Sequence, residues 1–90
     1  MFKSLVFNNE DKENHYKAIV DISFGSFRNH MTYRVFPHKE GYWRVLTSGT
    51  FVGFNELEKS NTKEEAFEKA NEDYQNNLLN LYKALESLKI

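Results

Sequence analysis

The feature that most constrains the fold is a single change of hydrophobic period along the chain. Up to Phe54, apolar and polar residues alternate with a period of two, which is typical of half-buried antiparallel strands. From Thr62 onward, apolar residues recur at steps of three and four, which is the period of an amphipathic helix. The sequence therefore predicts an α+β fold, with an antiparallel sheet of three to five strands packed by one long C-terminal helix. Within a single domain over 1–90, we expect the sheet in 1–54, a link in 55–61 and the helix in 62–88.

Alternation and turn residues divide the sheet half into strands. The first strand is predicted over 15–24, and the second ends at Pro37, which has no amide to donate to a ladder. A hairpin connection that closes at Gly41 leads into a third strand over 42–47. Four further segments complete the prediction: turns at 25–29 and 48–49, and edge strands at 3–7 and 50–54.

The helix half begins with a cap and carries one apolar stripe. Thr62, with Glu65 three residues later, forms a capping box that predicts the first turn. The stripe then continues to the end of the chain and indicates which side of the helix faces the sheet. The centre of the core is predicted from the stripe and the sheet together: Trp43, Phe67, Ala70 and Tyr74.

The predicted helix is longer than the predicted strands. Residues 62–88 would span about 40 Å as a helix, whereas strands of six to ten residues span roughly 20 to 33 Å. Three arrangements are open: the stripe lies diagonally over a twisted sheet, a kink at Asn76–Asn77 folds the end back, or the end buries its leucines against a second copy. The leucines of this predicted homodimer contact are Leu78, Leu81, Leu85 and Leu88.

The residue types present leave little room for catalysis. The chain has no cysteine, which excludes disulfides, thiol nucleophiles and cysteine-ligated metals. Its three histidines lie in or beside predicted turns and form no i, i+4 pair. No Gly-x-Ser-x-Gly elbow and no glycine-rich phosphate loop occurs. We therefore predict a protein that is not an enzyme and that has no catalytic residue, no cofactor and no metal site.

Hydropathy predicts no association with a membrane. No apolar run reaches the roughly 18 to 20 residues that a membrane helix needs. Residues 1–7 are too short an apolar segment for a signal peptide. The expected location is the cytoplasm, and the host cytoplasm if the protein is encoded by a phage.

Charge is divided unequally between the two halves of the chain. Residues 16–54 hold five Lys and Arg against two acids, whereas 55–90 hold five Lys against eight acids. If Tyr33 faces the helix, alternation places Arg34 on the side that faces solvent. Arginine among aromatic residues is typical of protein-binding hot spots and of surfaces that bind single-stranded nucleic acid. The predicted partner-binding residues lie on this basic side of the sheet and its hairpin: Arg28, Arg34, Phe36, His38, Lys39, Tyr42 and Arg44.

An acidic face of the helix is the rival site. Its carboxylates would imitate a row of phosphates and occupy a basic nucleic-acid channel of a partner. Lys63 and Lys69 interrupt this face and weaken its field. The acidic residues concerned are Glu65, Glu68, Glu72 and Asp73.

Two parts of the sequence resemble known families. The segment 33–45, which runs from Tyr-Arg-Val-Phe-Pro to Tyr-Trp-Arg-Val, together with the helix start at 62–66, resembles a family of small bacterial hairpin-and-helix proteins. The basic strands before a helix are similar to the three-stranded DNA-binding domains of plant ethylene-response factors and phage integrases. This chain lacks the arginine-glycine opening of those domains.

A further resemblance is one of type. A short, cysteine-free chain that is rich in Asn and Lys, with an acidic helix, is similar to the small phage and mobile-element inhibitors of bacterial defence, anti-CRISPR proteins among them. The resemblance implies a non-catalytic protein that occludes or locks a host protein or a protein–nucleic acid complex. The alternative function is a small nucleic-acid-binding regulator that uses a basic three-stranded sheet.

Overall fold

Five antiparallel strands in chain order form one sheet, and one helix packs against it. The computed structural model describes residues 3–24, 27–49 and 53–87. The sheet has the order β1-β2-β3-β4-β5, in which each strand pairs with its neighbour in sequence. The α+β prediction is confirmed. The elements are β1 (Asn8–Asn9), β2 (Tyr16–Phe24), β3 (Phe27–Pro37), β4 (Trp43–Gly49), β5 (Gly53–Glu56) and α1 (Lys63–Ser87).

Two predicted turns are wrong in position because β3 is longer than the sequence indicated. Residues 27–29 belong to β3, and Gly25 and Ser26 lie outside the described residues. Ser48 and Gly49 belong to β4, where they pair with Thr32 and Met31. Because β3 has 11 residues, it still offers hydrogen-bonding partners to Ser48 and Gly49, and β4 stays extended there.

The two edge strands also differ from the prediction. Residues 3–7 form no strand, because the Leu5 amide donates to the Asn71 side-chain oxygen at 3.0 Å and the Phe7 ring stacks on Phe67 at 4.5 Å. These contacts draw the segment toward the helix. At the other edge, residues 50–52 of the predicted strand lie outside the described residues, and β5 covers Gly53–Glu56, so the sheet reaches into the predicted link.

The core lies between α1 and one side of the sheet, here called the inner face. Ala70 and Tyr74 are buried, as predicted. Trp43 and Phe67 only pack against the margin of the core, because Trp43 begins β4 beside Ser60 and Phe67 is covered by the N-terminal segment. The buried apolar residues are Ala18, Met31, Tyr33, Val35, Val45, Ala66, Ala70 and Tyr74.

The helix begins where the cap predicted it. The Glu65 amide donates to the Thr62 hydroxyl at 3.1 Å, and the Ala66 amide donates to the Thr62 carbonyl at 3.0 Å. The Glu65 carboxylate lies 3.6 Å from the Lys69 amine, one turn further along. Thr62 therefore supplies the cap, and Glu65 supplies an ion pair within the helix.

The helix is no longer than the longest strand. It has 25 residues, or about 37 Å at 1.5 Å per residue, and the 11 residues of β3 also extend about 37 Å. The helix is continuous through Asn76–Asn77, and Leu78 packs against the core. The prediction that the helix is longer than every strand was therefore wrong. Leu81 and Leu85 are half-buried, Leu88 lies outside the described residues, and dimerisation through these leucines stays a prediction.

Candidate functional site

The side of the sheet that points away from α1 is here called the open face. Burial alternates along β3: Tyr33 and Val35 are fully buried, whereas Arg34 is exposed and Phe36 is half-buried. This alternation confirms the prediction that Tyr33 faces the helix and Arg34 faces solvent. The pairing register extends the same parity to the other strands, so each open-face residue has a known neighbour across the sheet.

At one end of the open face, Phe36 lies between a histidine and an arginine. The His15 ring stacks on Phe36 with 5.2 Å between centroids and an interplanar angle of 3°. From the β4 side, the Arg44 guanidinium lies 5.2 Å from the centre of the Phe36 ring. The ring is therefore engaged on one side by the residue that precedes β2 and on the other by a residue of β4.

Arg44 is also neutralised within the molecule. Its Nε and Nη2 atoms donate to the two carboxylate oxygens of Glu56, each at 2.8 Å. These hydrogen bonds raise the pKa of Arg44 and lower the pKa of Glu56. A two-point pair of this kind fixes the guanidinium plane. Its partner Glu56 lies in β5, outside residues 1–54, where the sheet was predicted.

The hairpin between β3 and β4 holds a second stack. His38 and Tyr42 lie with 4.4 Å between ring centroids and an interplanar angle of 8°. The Lys59 amine lies 4.9 Å from the centre of the Tyr42 ring, and the His38 amide donates to the Tyr42 carbonyl at 2.7 Å. Gly41 permits the tight connection, since it adopts φ +94°. The stack stiffens the hairpin.

The seven residues predicted to bind a partner therefore divide into two groups. Phe36, His38, Tyr42 and Arg44 are brought together and engage one another or near neighbours, as described above. Arg34 lies beside them and is exposed. Arg28 and Lys39 are also exposed, but Arg28 is six positions along β3 from Arg34, or about 20 Å.

The register shows a row of four open-face residues that the sequence reasoning missed, with an apolar side chain at each end and two hydroxyl side chains between them. Ile19, Thr32, Ser48 and Phe54 are successive partners across β2 to β5. Ile19 is 60% exposed and Phe54 is 72% exposed. Ile19 could have been found from its position among the polar residues of the β2 alternation. We call these four residues the apolar row.

Two cations lie beside the apolar row. Lys17 pairs with Arg34 across β2 and β3, two register positions from Ile19 and Thr32 and therefore next to them on the open face. Arg34 has Leu46 on its other side, in β4. The open face thus combines exposed apolar groups with positive charge, although Arg44 contributes less charge than the sequence indicated.

The rival acidic face is broken up in the structure. Glu68 and Glu72 are exposed, and Glu65 is half-buried beside Lys69. Asp73 points inward, because its carboxylate accepts a hydrogen bond of 2.7 Å from the Tyr33 hydroxyl. Burial, and then this hydrogen bond, raises the pKa of Tyr33 above its ordinary range. Asp73 is therefore engaged with the core, whereas Glu68 and Glu72 are exposed.

Comparisons with known proteins found no relative of this chain. No protein-family model, curated protein or solved structure matches the chain. Within residues 3–24, 27–49 and 53–87, no helix combines the length and the apolar character needed to cross a membrane. The same described residues contain no group of three or more side chains arranged to hold a metal ion.

Proposed function

We propose that the protein is a non-catalytic binding protein whose open face docks against a partner protein. The observation that carries this proposal is the apolar row, in which Ile19 and Phe54 are exposed on one line across the sheet beside the cations of Lys17 and Arg34. Ile19 and Phe54 stand at the two ends of the row, so they offer two separate apolar contacts with hydroxyl side chains between them, a mixed composition that protein interfaces also have. The partner surface that fits has two apolar contact points, for Ile19 and Phe54, and carboxylates that face Lys17 and Arg34.

At the hairpin end of the open face, the state of the aromatic rings favours a protein partner over nucleic acid. Single-stranded nucleic acid stacks its bases on free aromatic faces. Phe36 is already engaged by His15 and Arg44, and Tyr42 by His38 and Lys59. Binding of bases there would have to displace these contacts.

The alternative function, a small nucleic-acid-binding regulator, is supported by one observation. Lys17 and Arg34 are cross-strand partners, and Arg34 is exposed. Two adjacent cations attract a phosphate backbone in a salt-dependent way. This alternative uses the same face, so it is an outcome of the test below.

The mode of action that we propose is occlusion or locking of a host protein complex, as in phage and mobile-element inhibitors of the anti-CRISPR type. Such a mechanism needs a surface and no reactive group, and the open face offers one. The similarity of type in size, cysteine-free composition and acidic helix supports this class. In this proposal the protein works in the cytoplasm, that of the host if a phage encodes it.

The experiment is capture of partners from bacterial lysate with two matched double variants. Ile19→Ser with Phe54→Ser removes the exposed groups of the apolar row. Leu79→Ser with Tyr82→Ser removes two exposed apolar side chains of α1, which are 42% and 57% exposed. We expect the open-face variant to lose a partner that the wild type and the helix variant both retain.

Titration with single- and double-stranded DNA completes this test. At about 50 and 200 mM salt, a nucleic-acid-binding protein loses affinity steeply because counterions compete for the phosphates. Low-micromolar binding with that salt dependence would establish the alternative function. Equal loss of the protein partner in both double variants would contradict the assignment to the open face.

A further inference from the structure

One edge of the sheet is only partly covered. β2 has nine residues, and β1 pairs with two of them, Tyr16 and Lys17. Among the described residues, the remaining seven positions from Ala18 to Phe24 have a strand partner only on the β3 side. An open strand edge is a template for pairing with another chain.

The direction of the backbone groups along this edge follows from one hydrogen bond. The Glu10 amide donates to the His15 carbonyl at 2.7 Å, so residue 15 directs its backbone groups toward the β1 side. In an antiparallel ladder this direction alternates. Ile19, Asp21 and Ser23 therefore present their amides and carbonyls to the uncovered edge, while Ala18, Val20 and Ile22 bond toward β3.

The N-terminal segment does not close this edge. If the β1 register continued, Val6 would lie opposite Ile19, but the ladder ends at Asn8. The Leu5 amide is bonded to Asn71 of the helix instead. A cleft lined by Val6, Lys17 and Ile19 remains at the start of the uncovered edge.

A second copy of the chain is a poor occupant because of Asp21. In the two-fold antiparallel arrangement that uses all seven free positions, residue 21 is the central residue and faces itself across the two copies. Asp21 is exposed, and like charges directly opposite one another destabilise a strand pair. On its other side, the titratable cross-strand neighbour of Asp21 is His30 in β3. The edge is therefore open to a strand but selects against its own copy.

We propose that the uncovered edge of β2 is a second binding site, which takes an extended segment of a partner protein as an added antiparallel strand. The added strand supplies acceptors and donors to the backbone of Ile19, Asp21 and Ser23. It carries a Lys or Arg at the position opposite Asp21, where the opposite charge stabilises the pair. This site uses the backbone of an edge, so it goes beyond the proposed function of the open face and does not depend on it.

The test uses a peptide that is matched to the edge. The probe is an end-blocked, fluorescent peptide of residues 16–24 that carries Asp21→Lys, and the control peptide keeps Asp21. At about 50 mM salt, we expect the lysine peptide to bind the wild-type protein about tenfold more tightly than the control, because an attractive pair replaces a repulsive one. The difference should shrink at about 500 mM salt, since Asp21 is exposed to solvent.

Three further measurements identify the site and the charge. Amide hydrogen exchange should slow at Ile19 and Asp21 on binding of the lysine peptide and stay unchanged at Ala18 and Val20. The protein variant Asp21→Lys should reverse the preference and bind the control peptide more tightly. A Phe54→Ser protein, altered only on the open face, should bind the lysine peptide as the wild type does, which separates this site from the proposed function.

Three results would overturn the proposal. Equal binding of the two peptides at low salt would remove the basic specificity. Binding without slower exchange at Ile19 and Asp21 would place the peptide elsewhere on the protein. Failure of both peptides to bind would show that the edge does not accept an added strand.

Discussion

The Tyr33 hydroxyl of β3 donates a hydrogen bond of 2.7 Å to the Asp73 carboxylate of α1, across 40 positions of sequence. The Asn77 side-chain amide donates to both, at 3.2 Å to the Tyr33 oxygen and at 3.0 Å to the Asp73 oxygen. Tyr33 has no exposed surface, so its hydroxyl depends on these partners. Because apolar packing is not directional, this polar triad specifies where along the sheet the helix lies.

Removal of the hydroxyl tests the triad. We expect Tyr33→Phe to lower the free energy of unfolding by about 1 to 3 kcal/mol, since Asp73 and Asn77 then lose a partner in a partly buried place. Tyr74→Phe is the matched control, because Tyr74 is also buried but its hydroxyl has no hydrogen bond to a described residue. The control should change stability by less than about 0.5 kcal/mol in urea unfolding. Equal losses in the two variants would contradict a special role for the triad.

The same tyrosine predicts how stability depends on alkaline pH. Burial, and then the hydrogen bond to Asp73, raises the pKa of Tyr33 in the folded protein above the value of about 10 that the unfolded chain has. Above that pH the unfolded state releases a proton that the folded state keeps. The contribution of Tyr33 to stability is therefore complete below about pH 10 and decreases as the pH rises further.

Urea unfolding between about pH 8 and pH 11 measures this effect. The wild type should lose stability more steeply than Tyr33→Phe above about pH 10. The remaining tyrosines and lysines titrate in both proteins, so the difference between the two curves isolates Tyr33. Parallel curves would mean that the Tyr33 pKa is not raised on folding.

The helix cap gives a prediction that concerns stability alone. Thr62→Ala removes the hydroxyl that accepts from the Glu65 amide, and it should cost about 1 kcal/mol. Ser87→Ala is the control at the other end of α1, where the hydroxyl donates to the Ala84 carbonyl at 2.7 Å on an exposed turn. We expect the control to change the urea midpoint by much less. A larger loss from Ser87→Ala would show that the last turn, and not the cap, limits the stability of the helix.

Local patterns in the sequence predicted the elements and the sides of the sheet. Period-two alternation placed β2, β3 and β4 and separated Tyr33 from Arg34, because adjacent side chains in a strand point to opposite sides. The Thr62 cap placed the helix start to within one residue. Such features depend on neighbours within a few positions, and the sequence displays these directly.

The pairing of side chains between distant elements could not be predicted in this way. The contact of Arg44 with Glu56 depends on how far β5 extends, and the inward turn of Asp73 depends on the rotation of the helix over the sheet. Neither quantity has a local signal. The sequence therefore overestimated the free charge on both candidate faces, and it missed the apolar row, which exists only once four strands are in register.

The distribution of free charge decides which arginine to change. Reversal of Arg44 would place a new carboxylate beside Glu56 and disturb the sheet as well as any interface, whereas Arg34 is exposed and has Lys17 as its cross-strand neighbour. We expect Arg34→Glu to weaken binding of the captured partner at least tenfold without a decrease in the unfolding midpoint, because the substitution turns attraction into repulsion on the open face and places a carboxylate beside Lys17.

Glu68→Lys with Glu72→Lys is the matched control on the helix. These two carboxylates are exposed on the rival face, and their reversal should leave partner binding within about twofold of the wild type if the open face is the interface. Equilibrium binding of the purified partner at two salt concentrations measures both variants. If the helix variant abolishes binding and Arg34→Glu does not, the acidic helix is the functional surface, and its exposed glutamates carry the interaction in place of Arg34.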